Sequence, residues 1–480
     1  MTLMRRAGGA VFDALLDGWP SLKKLCICCG KGNNAGDGYV VAALALDHGM
    51  EVDVIQLGDP GALTGDAAVA RDEALARGLT VRRSDDGQAL PDGDVLVDAL
   101  LGTGLKGAAR GPYAGLIETM NGSGLPIVAV DVPSGVAADT GAAAGPAIRA
   151  HTTVTFIGRK VGLCTGAGAA LAGRVIFAPL GVGPEVHAGV TGIPWLRFAD
   201  LLQAHPLPER SADAYKQALG HVAVVGGDTA MGGAALMAAE AALRVGSGMV
   251  TVITRGAHRS AILSRRPEVM VADADDAILR DEVLARASVL VVGPGLGRGE
   301  WGEQLLSLAL ACDKPLILDA DGLFLLARSG ARVAAETIIT PHAAEAARLL
   351  DCPLAEIQAD RIAAARALAE RVAGVAVLKG AGSVVAGTVS GRGAILGICA
   401  HGNPGMATAG MGDVLAGILG GLRGQGMGGA AAALLGTCLH SLAADRAALR
   451  LGEASLLATD IIPEMMDLLH RHRDARRGEN

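Results

Sequence analysis

The stretch Leu25–Gly38, LCICCGKGNNAGDG, contains the pattern that decides the fold. A short apolar run ends in a glycine-rich turn, and an amphipathic, alanine-rich run follows it. A buried strand that leads through glycines into a helix is the first half of a strand–helix–strand unit. Gly30, Gly32 and Ala35 match the spacing of the dinucleotide-binding fingerprint, but the match is weak because 69 of the 480 residues are glycine.

The same alternation continues along the first part of the chain. Strands are predicted at Leu25–Cys29, Val52–Leu57, Val95–Asp98, Ile127–Asp131, Val154–Ile157 and Val175–Ala178. Helices are predicted between them at Gly36–Gly49, Gly65–Arg77 and Gly111–Asn121. This alternation predicts a Rossmann-like three-layer sandwich, in which helices cover both faces of a mostly parallel sheet.

A cluster of prolines between residues 179 and 220 interrupts the alternation and predicts a domain boundary near residue 190. The second part resumes with strands at His221–Gly226, Met249–Ile253, Val289–Val292, Leu316–Asp319, Thr337–Ile339 and Val375–Leu378. Its predicted helices are Gly233–Val245, Gly412–Leu422, Gly429–Arg446 and Ala454–His470. We therefore predict an α/β chain of two domains, 1–190 and 191–480.

The composition excludes several classes of protein. Apolar residues make up 51% of the chain and charged residues 19%, which excludes a disordered chain and provides for a large core. With 42 basic and 49 acidic residues the formal net charge is −7, which argues against general affinity for nucleic acid or an anionic membrane. The uncharged run Gly424–Ala444 is rich in glycine and polar residues, so we interpret it as a buried helix rather than a membrane span.

The eight cysteines do not predict a disulfide framework in a chain of this length. Cys26 and Cys29 form a CxxC pair, but no second cysteine or histidine pair follows at the spacing of a zinc site. Reduced thiols on a strand are the better interpretation. The apolar stretch at the start contains charges, so no signal peptide is visible, and we predict a cytoplasmic enzyme.

The glycine-rich turn also carries polar side chains. Asn33, Asn34 and Asp37 lie at a predicted helix N-terminus, where free amides can hold a phosphate and side chains can hold a ribose or a cation. A turn that needs glycine only for positive φ explains the glycines equally well. It does not explain the three polar residues, which favour a small-molecule site.

Two further predicted strands end in an aspartate. Asp98 precedes the loop ALLGTGLKG, and Asp131 precedes VPSG, which contains Ser134. Ligands of open α/β sheets bind at the carboxyl ends of strands, so Asn34, Asp98 and Ser134 can converge there as oxygen ligands of a hard cation. Asp131 would lie beside them as a candidate acid or base. The alternative is that Asp98 and Asp131 only cap loops, which is a common role for aspartate.

These motifs resemble the NAD(P)H-hydrate epimerase family. The resemblance spans most of residues 1–180 through LMRRA at Leu3–Ala7, GNNAGDG, DALLGTGLKG, DVPSG, and the strand Thr153–Phe156 followed by Lys160. It implies that Asn34, Asp98 and Ser134 hold a potassium ion, with Asp131 and Lys160 as catalytic residues. The substrate contacts that it implies are Asn33, Asn34, Asp37, Gly102, Thr103, Gly104, Lys106, Ala108 and Asp131.

The chain departs from that family in three places. The helix that usually precedes LMRRA is missing, Lys31 replaces the usual proline, and Ala35 replaces the usual glycine. The missing helix leaves open a non-catalytic first domain that binds a nucleotide or docks a protein.

In the second part, Gly410-Met-Gly412-Asp413 begins a predicted helix after the glycine-rich run Gly402–Ala409. Free amides at a helix N-terminus stabilise an anion, and an aspartate there can take the proton of a hydroxyl that attacks phosphorus. Phosphoryl transfer needs this positioning and little covalent help. The alternative is an acid that merely favours the helix dipole.

Other polar loops follow the neighbouring strands. These are Lys379–Ser383 (KGAGS), Gly293–Gly297 (GPGLG), Asp319 with Asp321, and Thr340-Pro-His342 with Glu345. The first of them is typical of a loop that binds nucleotide phosphates. The sequence contains no Walker A, GxSxG or HExxH motif, so serine hydrolase and zinc-protease chemistry lack support.

This set resembles the ribokinase-like superfamily and, more narrowly, the NAD(P)H-hydrate dehydratase family. The resemblance runs from about His221 to Leu469 through RRPEVM, GPGLG, DADGL, TPHAAE, KGAGS and GNPGMATAGMGDVL, with a departure at Tyr215-Lys216-Gln217. It implies a ribokinase-like domain in which Ala234, Gly297, His342 and the catalytic Asp413 contact the hydrated cofactor. The ADP contacts that it implies are Lys379, Gly380, Ala381, Gly382, Ser383 and Gly412.

Together the resemblances imply repair of hydrated nicotinamide cofactors. The first domain would interconvert the R and S hydrates of NAD(P)H, and the second would dehydrate the S form with ADP as phosphoryl donor and magnesium as its companion ion. They also imply a homo-oligomer, a tetramer. The alternative enzyme is a kinase of a small alcohol, since the GMGD motif serves both.

Overall fold

The structure is a computed structural model that describes residues 1–84, 90–208, 210–334 and 336–477. The chain divides into two compact units, which are Met1–Gly192 with Gln358–Asp360, and Ile193–Ile357 with Arg361–Asn480. Both units alternate strands and helices, so the predicted α/β class is confirmed. No described helix combines the length and the apolar character that a membrane span requires.

The first unit is a seven-stranded parallel sheet with helices on its faces. Its strands are β1 (Lys24–Cys29), β2 (Glu51–Leu57), β3 (Thr80–Ser84), β4 (Val95–Ala99), β5 (Ile127–Val130), β6 (Thr152–Phe156) and β7 (Arg174–Ala178). Its helices are α1 (Thr2–Gly18), α2 (Asn33–Asp47), α3 (Gly65–Ala76), α4 (Pro112–Gly122) and α5 (Gly166–Leu171). The strand order is β3-β2-β1-β4-β5-β6-β7, so the direction of winding reverses between β1 and β4. Ligands bind at such a reversal point in open α/β sheets.

Several elements of this unit differ from the sequence-based expectations, and among them the helices α1 and α5 were not predicted. Helix α2 begins at Asn33, three residues before the predicted start, so both asparagines lie in its first turn. Strand β3 was not predicted, because its sequence TVRRS is polar and mostly exposed, as an edge strand can be.

The second unit contains a nine-stranded sheet. Its strands are β8 (His221–Val225), β9 (Met249–Thr254), β10 (Met270–Asp273), β11 (Val289–Val292), β12 (Leu316–Leu318), β13 (Ile338–Ile339), β14 (Val375–Leu378), β15 (Ser383–Val389) and β16 (Arg392–Cys399). Its first helices are α6 (Phe198–Ala204), α7 (Gly232–Val245), α8 (Arg259–Arg265), α9 (Ala277–Arg286), α10 (Glu300–Leu310), α11 (Ala320–Ser329) and α12 (Ala343–Leu350). The later ones are α13 (Leu354–Ala359), α14 (Arg361–Val372), α15 (Met411–Gly424), α16 (Gly429–Leu451) and α17 (Ile461–Arg477).

The order of this sheet is β10-β9-β8-β11-β12-β13-β14-β15-β16, so its winding reverses between β8 and β11. The strands from β10 to β14 are parallel, and β15 and β16 join antiparallel. Sequence analysis missed this hairpin, whose turn residues Ser390 and Gly391 both have positive φ, at 49° and 79°. It also placed the last helix too early, because Pro463 fits only in a first turn and the helix starts at Ile461.

Helix α15 approaches its neighbours unusually closely. A Cβ on Gly417 would lie 2.1 Å from the carbonyl oxygen of Ala238 in α7, and one on Gly421 would lie 2.2 Å from Val245 Cγ1. Glycine at these positions lets α15 pack backbone to backbone on α7. This packing fixes the axis of α15 and therefore the place of its N-terminus.

Helix α2 approaches the first sheet in the same way, and this generates a stability prediction. A Cβ on Gly38 would lie 2.8 Å from Ala99 Cβ and 3.0 Å from Cys29 Sγ. Gly38→Ala should therefore overpack the helix against the sheet and cost about 1–3 kcal/mol of unfolding free energy. Urea unfolding, assigned to this unit by hydrogen exchange of the β1 amides, measures the change.

The matched control is Gly115→Ala in α4, where an added Cβ would meet nothing within 4 Å. This change should stabilise the unit by about 0.5–1 kcal/mol, since alanine is the better helix former. If both variants shift stability equally, close packing of α2 is not what requires glycine at position 38.

Candidate active sites

The loops that follow β1 and β4 touch at the reversal point of the first sheet. A Cβ on Gly30 would lie 1.9 Å from the carbonyl oxygen of Leu100, so only glycine fits there. The Gln56 side chain, which is fully buried, donates to the carbonyl of Gly30 and accepts a 2.9 Å hydrogen bond from Tyr39. Gln56 and Tyr39 were not predicted as site residues, but their hydrogen bonds hold this turn in place.

The structure brings Asp98 and Ser134 together in the interior. Ser134 donates to the Asp98 carboxylate from its backbone N–H at 2.7 Å and from its hydroxyl at 2.6 Å. Both side chains are fully buried, and burial raises the pKa of Asp98 to about 6 although these hydrogen bonds lower it. No lysine or arginine of the described residues pairs with this carboxylate.

The loop after β4 lies between Asn34 and this pair, because Gly102 lies beside Asn34 and the N–H of Leu101 donates to Ser134 Oγ. The Asn34 side-chain oxygen is 3.7 Å from the position that a Cβ on Gly102 would take. Its Nδ2 is buried and has no hydrogen-bond partner within the described part of the chain. An orphaned donor of this kind calls for a hydrogen-bond acceptor, such as an oxygen of a bound small molecule.

A cavity of about 720 Å³ opens at these strand ends. Its lining includes eight of the predicted residues, which are Asn33, Asn34, Asp37, Gly102, Thr103, Gly104, Lys106 and Asp131. Ala108 does not line it and packs instead towards Gly145. Tyr113, at the start of α4, lines the cavity and was not predicted. The volume suits a small organic ligand.

Asp131 is held in a fixed orientation at the edge of this cavity. Its φ of 66° is in the left-handed region, which is rare for a residue other than glycine. Its carboxylate accepts hydrogen bonds from Thr155 Oγ1 at 3.1 Å and from the Phe156 N–H at 3.2 Å, and it forms an ion pair with Lys160. Burial, followed by the charge of Asp131, raises the pKa of Asp37 to about 7.

In the second unit a buried ion pair lies below the N-terminus of α15. The Asp319 carboxylate, 1% exposed, accepts from Lys379 Nζ at 2.6 Å and from Thr340 Oγ1 at 2.8 Å. A Cβ on Gly412 would lie 2.9 Å from Asp319 Oδ2 and 3.1 Å from Lys379 Nζ. Glycine at 412 therefore allows the helix N-terminus to rest on the pair.

Asp413 is the first acid of α15 and lies in the field of this pair. Burial raises its pKa to about 7, with a further increase from the charge of Asp319 and an opposing effect from Lys379. A carboxyl group that titrates near neutral pH can accept a proton efficiently under working conditions.

The loop Lys379–Ser383 begins at the same lysine. Gly380 and Gly382 have φ of 144° and 62°, which glycine adopts without strain. Below the loop the buried guanidinium of Arg361 donates to the carbonyls of Leu378 and Lys379 at 3.0 and 3.1 Å. Arg361 was not predicted, because nothing in the sequence indicates which arginine of a helix is buried.

The loop that approaches α15 is held in a similar way. Asp445, on α16, accepts from the N–H of Gly402 at 3.0 Å and from Asn403 Nδ2 at 3.0 Å. It too was missed by sequence analysis, since it lies far along the chain from the motif that it supports.

The predicted contacts of the hydrated cofactor other than Asp413 lie on three elements, which are α7, the GPGLG loop and the N-terminus of α12. The N–H of Gly297 donates to Asp321 at 3.0 Å, and the Asp321 charge also raises the pKa of Asp413 slightly. Ala234, on α7, lies beside the GPGLG loop, 3.2 Å from where a Cβ on Gly295 would be. Asp321 therefore links the GPGLG loop to Asp413 of α15, through a hydrogen bond to Gly297 and through its charge on Asp413.

His342 caps α12. Its Nδ1 accepts from the N–H of Ala344 at 3.1 Å, and Glu345 accepts from the N–H of His342 at 2.8 Å. Burial, and then the charge of Lys379, lower the pKa of His342. The side chain is still 54% exposed, so capping leaves it accessible to a ligand.

Comparison with known proteins gives consistent results. A family model described as NAD(P)H-hydrate dehydratase matches residues 222–466, and one described as YjeF-related protein N-terminus matches residues 1–162. The chain is 45% identical to a bifunctional NAD(P)H-hydrate repair enzyme of Coxiella burnetii, over 98% of this chain and 94% of that protein.

Solved structures resemble the second unit. A ribokinase-like superfamily protein of Enterococcus faecalis is 30% identical over 57% of this chain and 94% of that chain, with a TM-score of 0.51. An ADP/ATP-dependent NAD(P)H-hydrate dehydratase of Bacillus subtilis, crystallised with ATP and Mg²⁺, is 26% identical over 59% of this chain and 99% of that chain, with a TM-score of 0.51. The predicted ribokinase-like fold is confirmed. The chain belongs to the family of bifunctional NAD(P)H-hydrate repair enzymes.

Proposed function

We propose that the first unit interconverts the R and S hydrates of NAD(P)H and that the second unit dehydrates the S hydrate with ADP. The observation that carries this proposal is the position of Asp413, at a helix N-terminus that rests on the buried pair of Asp319 and Lys379. Family membership favours repair over the alternative of a small-alcohol kinase, and it favours an active first unit over a docking module.

In the second unit, Asp413 accepts the proton of the hydrate hydroxyl as its oxygen attacks the β-phosphorus of ADP. The bond from that phosphorus to the bridging oxygen breaks, and AMP leaves. Lys379 and the N–H groups at the start of α15 face the charge that develops. The C–O bond of the phosphorylated hydrate then breaks, phosphate leaves, and the neighbouring carbon loses a proton to give NAD(P)H.

The loop Lys379–Ser383 and Gly412 would hold ADP, and Ala234, Gly297 and His342 would hold the hydrate. Magnesium would accompany the ADP phosphates and neutralise their charge.

In the first unit, the residues present fit a potassium ion. Asp98 is a buried carboxylate with no cationic side chain of the described residues as partner, Ser134 adds a hydroxyl oxygen, and Asn34 offers its amide oxygen beside Gly102. A buried charge without a partner is costly, and a monovalent cation among oxygen ligands removes that cost. When bound, the ion would supply a fixed positive charge next to the Gly102–Ala108 loop.

The reacting end of the hydrate would occupy the 720 Å³ cavity, with Asp131 as its acid or base. Lys160 holds the Asp131 carboxylate in place through the ion pair. Thr103, Gly104 and Lys106 lie on the loop after β4 and line the cavity. The basic side chain and the backbone amides of this loop can hold the phosphates of the dinucleotide.

The first functional prediction concerns Asp413. Asp413→Asn removes the proton acceptor but keeps the shape of the side chain, so dehydration should fall by about 10²–10⁴-fold. Epimerisation, in the other unit, should continue. Release of AMP and exchange of the R and S hydrates are measured in the same sample. Retention of more than about a tenth of the activity would assign the proton to another acid, such as Asp321.

A pH profile and a control variant sharpen this test. Because the pKa of Asp413 is raised to about 7, kcat/KM for dehydration should rise as the pH increases through 7, and Asp413→Asn should lose this dependence. Asp276→Asn is the matched control, since Asp276 caps α9 by accepting from the Leu279 N–H and asparagine caps equally well. Its dehydration activity should equal that of the wild type.

The second prediction concerns the cation. Asp98→Asn keeps the size of the side chain but removes its charge, which weakens ion binding by about 10- to 150-fold if one contact to a charged group is lost. Epimerisation should fall, and dehydration of the S hydrate should stay near normal. A wild-type crystal soaked in rubidium should show the ion between Asn34, Asp98 and Ser134; absence of density there would refute the potassium site.

A further inference from the structure

Three arginines of the second unit surround one aromatic ring. The guanidinium carbons of Arg298, Arg348 and Arg328 lie 4.4, 4.9 and 6.0 Å from the centre of the Phe324 ring. All three arginines are exposed, and Phe324 is half-buried. We call these four residues the arginine cluster.

Three neighbouring elements at the carboxyl edge of the sheet form the cluster. Phe324 and Arg328 lie four residues apart on α11, so they share one face of that helix. Arg348 lies on α12, which packs against α11. Arg298 directly follows the GPGLG loop.

Positive charge exceeds negative charge in the cluster. Arg298 pairs with Asp321 at 2.7 Å, and Arg328 pairs with Glu303. Arg348 has no carboxylate within ion-pair distance among residues 1–84, 90–208, 210–334 and 336–471. In a chain whose net charge is −7, such a local excess of cations is where an anion finds a favourable potential.

The cluster adjoins the proposed hydrate site. The carboxylate of Asp321 joins the two, because it accepts from Arg298 at 2.7 Å and from the N–H of Gly297 at 3.0 Å. Arg348 lies on α12, the helix that His342 caps, and its charge, after burial and the charge of Lys379, also lowers the pKa of His342.

Stacked arginines are well suited to phosphate. A guanidinium that lies over a ring is held in place, while its N–H groups point outward in a planar fork that matches phosphate oxygens. The hydrates of NADH and NADPH both carry a diphosphate. The NADPH hydrate also carries a 2′-phosphate on its ribose.

We propose that the arginine cluster binds a phosphate group of the hydrated dinucleotide in the second unit. The inference rests on the proposed function, because it requires the hydrate to lie against Gly297 and His342. Arg348 contributes most, since the other two arginines are shared with carboxylates.

The test compares Arg348→Gln with Arg286→Gln. Arg286 is 75% exposed on α9 and outside the cluster, so its substitution removes an equal charge. Steady-state dehydration is measured with the S hydrates of NADH and of NADPH at saturating ADP. Arg348→Gln should raise KM about tenfold or more, the effect of a lost hydrogen bond to a charged group, with kcat within about twofold. Arg286→Gln should match the wild type.

The two substrates distinguish the two phosphates. An increase in KM for both hydrates supports contact with the diphosphate, and an increase for the NADPH hydrate alone supports contact with the 2′-phosphate. Arg328→Gln/Arg348→Gln should enlarge whichever effect is seen. Unchanged KM in the double variant, or an increase in the KM of ADP instead, would overturn the inference while leaving the proposed function intact. A wild type that releases no NAD(P)H would overturn both.

Discussion

The buried pair of Asp319 and Lys379 is the interaction on which the second unit depends. It places the buried carboxylate of Asp319 2.6 Å from the partly exposed ammonium of Lys379, at the ends of β12 and β14, so the buried charge has a partner. Because Gly412 has no side chain, the first turn of α15 rests on this pair, and Gly417 and Gly421 let the rest of the helix press against α7. The first turn of α15, the start of the loop Lys379–Ser383 and the ends of β12 and β14 are thereby held together, which is the positioning that the proposed phosphoryl transfer would require.

The first unit also contains a buried carboxylate, that of Asp98, but this carboxylate has different partners. Asp98 is as buried as Asp319, but its partners are hydrogen-bond donors rather than a lysine. Under the proposed function, a cation would stabilise the carboxylate of Asp98, whereas the ammonium of Lys379 already balances that of Asp319. The cavity of the first unit lies where the strand order reverses, whereas the ion pair of the second unit follows β12 and β14, away from the reversal between β8 and β11.

Secondary-structure elements with strong periodicity, and loops that carry motifs, could be predicted from the sequence. The strands β11 and β14 were predicted to the residue, because each is a continuous apolar run between glycines or polar residues. The sequence was insufficient for partners that lie far along the chain. The side chains of Gln56, Arg361 and Asp445 hold the site loops by hydrogen bonds. The sequence around each of them does not distinguish it from other polar residues. The polar edge strand β3 and the glycine-interrupted hairpin of β15 and β16 lacked the patterns that predict strands.

Both steps of the repair are assigned to one chain. The most direct measurement supplies pure R hydrate of NADPH with ADP and follows dinucleotide, AMP and free phosphate in one reaction. We expect that all of the R hydrate becomes NADPH, with one AMP and one phosphate released for each molecule. Accumulation of a phosphorylated dinucleotide, or an R hydrate that persists after any S hydrate is consumed, would contradict this assignment.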